Sequence, residues 1–245
     1  MKRTALALIL ILVLVFSAVI VTVFIYSAIP PHAGVTILPD GRVVGTSVIQ
    51  REGDVYTFTG NLSGTVYVQR SYIVIDGTGY AINGGGIDLS NECWRDSSRA
   101  QIKNVTVKNL KLINCFNAIE YVASANDTFI GNYIANCTVG FNIWCTHNHT
   151  LMHNTIENCE TGITISYGGS GNVITENNIL NSSVLVMFSP DNAVDGNYWS
   201  DYLTRYPNAT EIGNTGIWDT PYEGHEAFTD HHALVEPVAV NPDTV

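Results

Sequence analysis

The chain has 245 residues, of which 22 are acidic and 11 basic, and its formal net charge is −11. Phosphate binding requires clustered lysine and arginine, so this composition argues against a nucleic-acid partner. Only 13% of the residues are charged, and Asn, Thr, Ser and Gly must supply most of the surface polarity. The length predicts one elongated domain, while the sequence alone sets no oligomeric state.

An apolar run opens the chain. Lys2 and Arg3 are followed by an uncharged apolar stretch over residues 5–29. Such a run spans the ~30 Å hydrocarbon core of a membrane and exceeds the usual signal-peptide core of about 7–15 residues. We therefore predict a transmembrane or signal helix over residues 1–30. We favour an uncleaved signal anchor over a removed signal peptide, because small residues for cleavage are poorly placed. The rest of the chain then lies outside the cytoplasm.

The next segments predict short strands and a cap. Residues 31–53 are expected to cover the N-terminal end of the domain, because exposed strand edges invite pairing with other chains. Alternating apolar residues then predict strands. These strands are Val55–Thr59, Thr65–Gln69 and Tyr72–Asp76. Residues 88–100 interrupt the pattern, and we predict a projecting loop there.

A repeat of about 22 residues dominates the centre of the chain. Its columns are Asn132/Asn154/Asn177/Asn197, Ile134/Ile156/Ile179, Ile119/Phe141/Ile163/Leu185 and Tyr121/Ile143/Ile165/Met187. Apolar residues alternate within each unit, which indicates strands with one buried face. No unit can bury that face alone, so successive coils must stack, with strands ~4.8 Å apart. The repeat predicts an all-β, single-stranded right-handed parallel β-helix over residues 54–202, with the asparagines as an amide ladder.

Three cysteines share one column of the repeat: Cys115, Cys137 and Cys159. In an exported chain they are either disulfide-bonded or a buried row of small thiols. We favour the reduced row, because parallel Cβ vectors in stacked coils strain a disulfide. Cys93 and Cys145 lie outside the column, and a bridge between them stays open.

The last predicted coil, Val184–Phe188, is apolar on both faces, as is typical of a strand buried on both sides. We expect residues 203–245 to form a capping tail that folds back over Val186 and Phe188. The aromatic residues assigned to this closure are Tyr198, Trp199, Tyr202, Tyr206, Trp218 and Tyr222.

The repeats and their flanks resemble a known family. The flanking segments are Asp54–Gly64 with Tyr72–Tyr80, and Gly196–Tyr202. Together with the repeats they are similar to the NosD-type group of exported parallel β-helix proteins, over residues 35–238. The resemblance implies a right-handed β-helix at the cell surface or in the periplasm, and its namesake is associated with copper maturation. It implies little about activity, because this architecture hosts many functions.

Three histidines form the only metal-like cluster in the sequence: His147, His149 and His153. Imidazole suits copper or zinc. However, the first two fall in a turn between coils, and no neighbouring coil repeats them. We interpret them as solvated turn histidines, and we interpret His231 and His232 in the same way. Copper remains the alternative at these positions.

The tail also carries a weak calcium pattern. The segment 211–222 resembles tails of the same group whose acidic loops look like Ca²⁺ sites, which need several carboxylate and carbonyl oxygens. In this segment only Glu211 and Asp219 are acidic. We therefore favour a structural turn anchored by Trp218 over a calcium site, and we predict no cofactor.

Catalysis finds little support. A glycosidase needs two carboxylates ~5–9.5 Å apart on one cleft. Glu157 and Glu176 lie in successive coils but not in one column. We predict a non-catalytic extracytoplasmic module that binds carbohydrate or another cell-envelope component, or serves as a surface structural protein. Tyr133 and Trp144 are the candidate glycan contacts. The alternatives are a polysaccharide lyase or hydrolase and a copper-handling protein.

Overall fold

The computed structural model describes residues 34–90, 101–189, 191–224 and 228–239. Residues 34–245 form one compact unit. The predicted membrane helix over residues 1–30, most of the predicted loop and Cys93 lie outside the described residues. Within the described ranges, no helix has the length and apolar character needed to cross a membrane.

The described residues contain 25 strands and one four-residue helix. The strands are β1 Val35–Ile37, β2 Val43–Val44, β3 Ile49–Glu52, β4 Val55–Phe58, β5 Leu62–Ser63, β6 Val66–Val68, β7 Ile73–Asp76, β8 Ala81–Asn83, β9 Ile87–Asp88, β10 Val105–Lys108, β11 Lys111–Ile113, β12 Asn117–Val122, β13 Thr128–Ile130, β14 Tyr133–Ala135, β15 Val139–Trp144, β16 Thr150–Met152, β17 Thr155–Glu157, β18 Thr161–Ser166, β19 Val173–Thr175, β20 Asn178–Leu180, β21 Val184–Met187, β22 Ala193–Val194, β23 Tyr198–Trp199, β24 Tyr222–Glu223 and β25 Thr229–Asp230. The helix, α1, is Tyr202–Arg205.

Three sheets form the sides of a solenoid. Sheet A has the order β2-β1-β6-β9-β12-β15-β18-β21, sheet B the order β22-β19-β16-β13-β10-β7-β4-β3, and sheet C the order β23-β20-β17-β14-β11-β8-β5. Each coil passes through sheet B, then sheet C, then sheet A. Six coils are complete from β4 to β21, and β22 and β23 begin a seventh. The prediction of an all-β parallel β-helix of the right-handed type, with about 22 residues per coil, is confirmed.

The N-terminal end is closed by strands that run against the main direction. Strand β1 pairs in parallel with β6 and carries the antiparallel β2 on its other edge. Strand β3 lies antiparallel on β4 at the end of sheet B. The Tyr56 hydroxyl donates to the Gly41 carbonyl at 2.9 Å and ties this segment to the first coil. These strands occupy the residues that the sequence assigned to a cap.

The last complete coil departs from the predicted register. Ile163 is in register with Val184, not with Leu185, a step of 184 − 163 = 21 residues. The cysteine column, in contrast, continues to Ser182 by a step of 23 residues. The turn from sheet C to sheet A is therefore two residues shorter in this coil. The core side chains of β21 are Val184 and Val186, and the outward ones are Leu185 and Met187.

The predicted cover over the outer face of this strand is wrong. Phe188 is 85% exposed, because it lies at a corner that the tail does not reach. The tail packs instead on the end of the seventh coil, where the Trp199 ring stacks on Tyr222 with centroids 4.1 Å apart. Trp218 stacks on Tyr202 at 5.0 Å. The aromatic tail thus closes sheets B and C but leaves the last strand of sheet A uncovered.

A row of buried asparagines runs along the corner between sheets B and C: Asn132, Asn154, Asn177 and Asn197. At each step the Oδ1 atom of one asparagine accepts both the backbone N–H and the Nδ2–H of the preceding one, at 3.0–3.1 Å. The second Nδ2–H donates to a strand carbonyl one coil back. Every amide in the row is therefore satisfied without water, as buried polar groups require.

Asp230 ends this row. Its buried carboxylate accepts the backbone N–H of Gly196 at 2.8 Å, that of Asn197 at 2.9 Å and the indole N–H of Trp199 at 2.9 Å. A carboxylate has no hydrogen to donate, so the row needs no further acceptor beyond it. Asp230 belongs to the tail, and the hydrogen bonds join the tail to the last rung.

The cysteine column forms a second stacked row. Cys115, Cys137 and Cys159 are 2–4% exposed, and all described cysteines are free thiols. The backbone N–H of Cys115 donates to Cys137 Sγ at 3.3 Å. A hydrogen bond with Cys115, together with burial, raises the pKa of Cys137 to about 12. The neighbouring Cys137 thiol and burial also raise the pKa of Cys159.

This arrangement predicts selective thiol labelling. In a Cys93→Ser background at pH 8, a thiol reagent should modify one cysteine in the folded chain and four in guanidinium chloride. The reactive group is Cys145, because it is exposed while the stacked thiols are buried. Adding Cys145→Ser should abolish native labelling, as read by mass spectrometry. Fast modification of any stacked thiol would contradict the buried row.

Candidate functional site

The corner where each coil passes from sheet A to sheet B carries a row of left-handed residues. Four residues, one per coil, have φ between 51° and 58°: Ala123, Cys145, Tyr167 and Phe188. Elsewhere between the strands asparagine often supplies this conformation: Asn104, Asn109, Asn114, Asn126, Asn136, Asn148, Asn158 and Asn181. Asparagine and glycine tolerate a left-handed backbone, whereas bulky residues are disfavoured. Two successive coils therefore hold aromatic residues where the backbone favours asparagine, and such local strain is a feature of functional sites.

These rings belong to an apolar surface, which we call the aromatic corner: the half-buried Trp144 and the exposed Tyr167, Met187 and Phe188. Tyr167 is 65% exposed, Phe188 85% and Met187 39%. Trp144 meets Tyr167 edge-on, with centroids 5.6 Å apart. Strand register places Trp144 and Met187 at equivalent positions two coils apart. Contiguous apolar surface on a soluble domain is typical of a binding site.

Polar groups flank the aromatic corner. The Nδ1 atom of His147 lies 3.0 Å from Ser170 Oγ, which occupies the equivalent position in the next coil. Cys145 Sγ donates to the Tyr167 carbonyl at 3.1 Å, which holds successive coils together beneath the rings. An exposed apolar surface bordered by a few polar groups is a candidate binding surface.

Tyr133, the other predicted glycan contact, lies elsewhere. It belongs to β14 on sheet C, whereas Trp144 ends β15 on sheet A. The Tyr133 hydroxyl donates to Glu157 Oε2 at 2.7 Å. Burial and this hydrogen bond raise its pKa to about 12. The expectation that Tyr133 and Trp144 face one ligand is therefore wrong, because the corner between the sheets separates them.

The three candidate metal histidines do not converge. His147 is exposed before β16, and His153 follows the same strand, with Nε2 2.5 Å from Glu176 Oε2. An extended strand rises about 3.3 Å per residue and holds these two apart. His149 is fully buried, so its interpretation as a solvated turn residue is wrong. Among the described residues, no group of three or more His, Cys, Asp or Glu side chains is arranged to hold a metal ion.

His149 is instead one rung of a second row, along the inner side of the corner between sheets A and B: Asp127, His149, Asn172 and Asn192. Each side chain accepts the backbone N–H of the rung before it. The Asp127 N–H donates to His149 Nδ1 at 3.1 Å, and the His149 N–H donates to Asn172 Oδ1 at 2.9 Å. Sequence reasoning missed this row, although its steps of 22, 23 and 20 residues were a readable signal.

The acid and the imidazole in this row are both buried. Asp127 Oδ1 accepts the Val105 N–H at 2.8 Å, while Oδ2 lies 3.5 Å from His149 Nδ1. Because Nδ1 is an acceptor here, the imidazole proton lies on Nε2. Burial raises the pKa of Asp127 to about 7. Burial lowers the pKa of His149 to about 3, and the positive charge of the nearby His147 lowers it further. Both groups are therefore neutral in mildly acidic solution.

The remaining candidate acids are held by local hydrogen bonds. Glu211 Oε1 accepts the Gly216 N–H at 2.8 Å, and Asp219 Oδ2 accepts the Thr210 hydroxyl at 2.6 Å. Both carboxylates thus stabilise the turn that Trp218 ends. In the tail, His232 Nδ1 lies 2.7 Å from Asp195 Oδ2.

Comparison with known proteins adds one finding. A family model described as "Periplasmic copper-binding protein (NosD)" matches residues 44–224, which is most of the chain. No curated protein and no solved structure gives a significant match.

Proposed function

The chain belongs to the NosD family, and from that premise we propose that it is an extracytoplasmic, non-catalytic β-helix protein that binds carbohydrate at the aromatic corner. The observation that carries the proposal is the placement of Tyr167 and Phe188, exposed by 65% and 85%, in left-handed backbone one coil apart. Aromatic faces pack against the C–H faces of sugar rings. The ~4.8 Å rise between coils aligns successive rings along the solenoid. The apolar run over residues 5–29 would anchor the protein in the membrane.

Copper does not enter this proposal, although the family description names it. The described residues do not fit a resident copper site: His149 is buried in a backbone-bonded row, and His147 and His153 flank opposite ends of a strand. Copper(I) would require thiolates in the cysteine row. In the structure the three thiols of that row are buried, and each donates to a backbone carbonyl of its own coil, those of Ile113, Ala135 and Glu157.

The test replaces both exposed rings by asparagine. We expect Tyr167→Asn with Phe188→Asn to weaken binding to cell-envelope polysaccharides at least tenfold on a glycan array. Stability should be unchanged or raised by up to ~1 kcal/mol, because asparagine suits left-handed backbone better than an aromatic residue. Phe116→Ala is the matched control, since it removes a ring that is 74% exposed but lies outside the corner.

Two outcomes would overturn the proposal. The first is that the double variant binds the same glycans as the wild type. The second is release of new reducing ends from a bound polysaccharide, which would make the protein a hydrolase or lyase. An assay for reducing sugars on the array hits, with the double variant in parallel, separates binding from turnover.

A further inference from the structure

Sheet A stops one coil before the other two sheets. The seventh coil contributes β22 to sheet B and β23 to sheet C, but the chain then enters α1, Tyr202–Arg205, where a strand of sheet A would follow. Among the described residues, β21 therefore pairs with β18 on one edge and with no strand on the other. In the part of the chain that the structure describes, sheet A thus has one rung fewer than the other two sheets at this end.

The open edge of β21 presents unprotected backbone groups. The Ser183 carbonyl accepts the Gly162 N–H at 2.7 Å and so faces β18. Alternate residues of a parallel strand hydrogen-bond to opposite neighbours, so Val184 and Val186 direct their backbone groups to the open side. Natural sheets usually protect such an edge with charge or proline. Residues 177–189 contain no charged side chain, and β21 contains no proline.

A cleft occupies the place of the missing rung. Its volume is about 530 Å³, and β21 forms one wall with Val184 and Leu185. The opposite wall consists of Trp199, Tyr222 and Phe228 from the last coil and the tail. Because the tail bounds the far side, the cleft admits a single extended strand rather than the edge of a second folded sheet.

The neighbouring columns define the chemistry of that strand. Inside the solenoid, Ile163 and Val184 form one column, and Ile165 and Val186 form the next. Of the two valines, Val184 lines the cleft and Val186 does not. A strand added in register places one apolar side chain on the first column within the cleft, and the side chain two residues on points to the same side. We propose that this cleft binds an extended segment of a partner protein by strand addition, with apolar residues at alternate positions. Main-chain hydrogen bonds give affinity in this mode, and the pockets for alternate side chains give selectivity.

The probe is a peptide with the sequence of the chain's own strand of sheet A, Thr161–Ser166 (Thr-Gly-Ile-Thr-Ile-Ser), labelled with fluorescein. We expect micromolar binding to the full-length protein by fluorescence anisotropy. Replacing both isoleucines by aspartate should weaken binding at least tenfold, because charge cannot enter the apolar columns. N-methylation of alternate backbone amides should do the same, because it blocks the hydrogen bonds to β21. No binding up to 1 mM overturns the proposal.

Protein variants locate the peptide. Ser183 is exposed and lines the cleft, so Ser183→Trp should fill it and weaken peptide binding at least tenfold. Ser183→Ala is the matched control and should bind like the wild type. Equal affinity of Ser183→Trp and wild type overturns the proposal. So does equal affinity of the N-methylated and unmodified peptides, which needs no variant. A dimer that excludes the peptide would assign the edge to a second copy instead.

Discussion

Asp230→Asn is expected to lower the free energy of unfolding by about 3 kcal/mol, measured by urea denaturation at pH 7. The carboxylate is buried and accepts five N–H groups, from the backbones of Gly196, Asn197 and His232, the Asn197 side-chain amide and the Trp199 indole. The amide keeps one acceptor oxygen and turns a donor toward the other N–H groups. A charge-assisted hydrogen bond contributes roughly 1.5–3 kcal/mol, and an unpaired buried donor adds its own cost.

Asp191→Asn is the control for this change. It removes the same charge from an exposed corner residue, and its effect should stay within about 0.5 kcal/mol. The near-ultraviolet circular dichroism of Asp230→Asn should also fall, because Trp199 stacks on Tyr222 beside the lost bonds. A loss below 1 kcal/mol for Asp230→Asn would show that the asparagine row does not depend on this terminal acceptor.

Asp127→Asn and His149→Asn are expected to give pH profiles of opposite slope, relative to the wild type. Between about pH 4 and 6.5 the folded chain binds one proton at Asp127, whose pKa is raised from 3.8 to about 7. The unfolded chain binds one at His149, whose pKa falls from 6.5 to about 3 on folding. The folded and the unfolded chain therefore each bind one proton at this pair, so in the wild type the pair contributes almost no pH dependence of the free energy of unfolding in this range.

Each single substitution removes one of these two proton-binding groups. In Asp127→Asn, only unfolded His149 binds a proton, so stability rises with pH by about 1.4 kcal/mol per unit. In His149→Asn, only folded Asp127 binds a proton. The stabilisation from protonated Asp127 is fully present below pH 3.8 and is lost as the pH rises toward 7. The free energy of unfolding therefore falls with pH, with a slope of similar size and opposite sign.

Urea unfolding at pH 4.5, 5.5 and 6.5 measures these slopes. The double variant Asp127→Asn with His149→Asn should return to the wild-type profile, because neither titrating group is left. Single variants whose slopes shared one sign would show that burial does not control the two pKa values. The measurement needs no ligand, so it tests the second row independently of any binding function.

Register and repetition explain how much of the fold could be predicted. The asparagine row uses one residue type at a nearly constant spacing, so the sequence alone shows that coils stack. The second row has a similar spacing but is harder to recognise, because Asp127 and His149 occupy the rungs before Asn172 and Asn192. A column with three residue types does not stand out, even though all its members accept the same backbone N–H.

Backbone conformation explains the errors at corners. His149 directly follows Asn148, whose φ is 62°, and Asn154 follows His153, whose φ is 54°. A left-handed residue interrupts the alternation of a strand, so the next side chain points inward. The alternation of apolar residues stops at such positions, so the sequence places His149 in a turn between coils and does not show that its side chain points inward. The same limit hid the aromatic corner, because the apolar pattern of Val184–Phe188 predicts one continuous strand, whereas Phe188 has a left-handed backbone.

The hydrogen bonds of the asparagine row all run in one direction, and this has a consequence for export. Each buried backbone N–H of the row donates to an acceptor that lies 20–23 residues later in the chain, and the Asn197 N–H donates to Asp230, 33 residues later. A polypeptide that emerges from a translocon amino end first cannot complete any coil with the residues already delivered. Each coil therefore stays incomplete until the next coil has crossed, and the last rung until Asp230 has crossed. A product truncated before Asp230 would keep unsatisfied N–H groups in its final turn and be a ready target for envelope proteases.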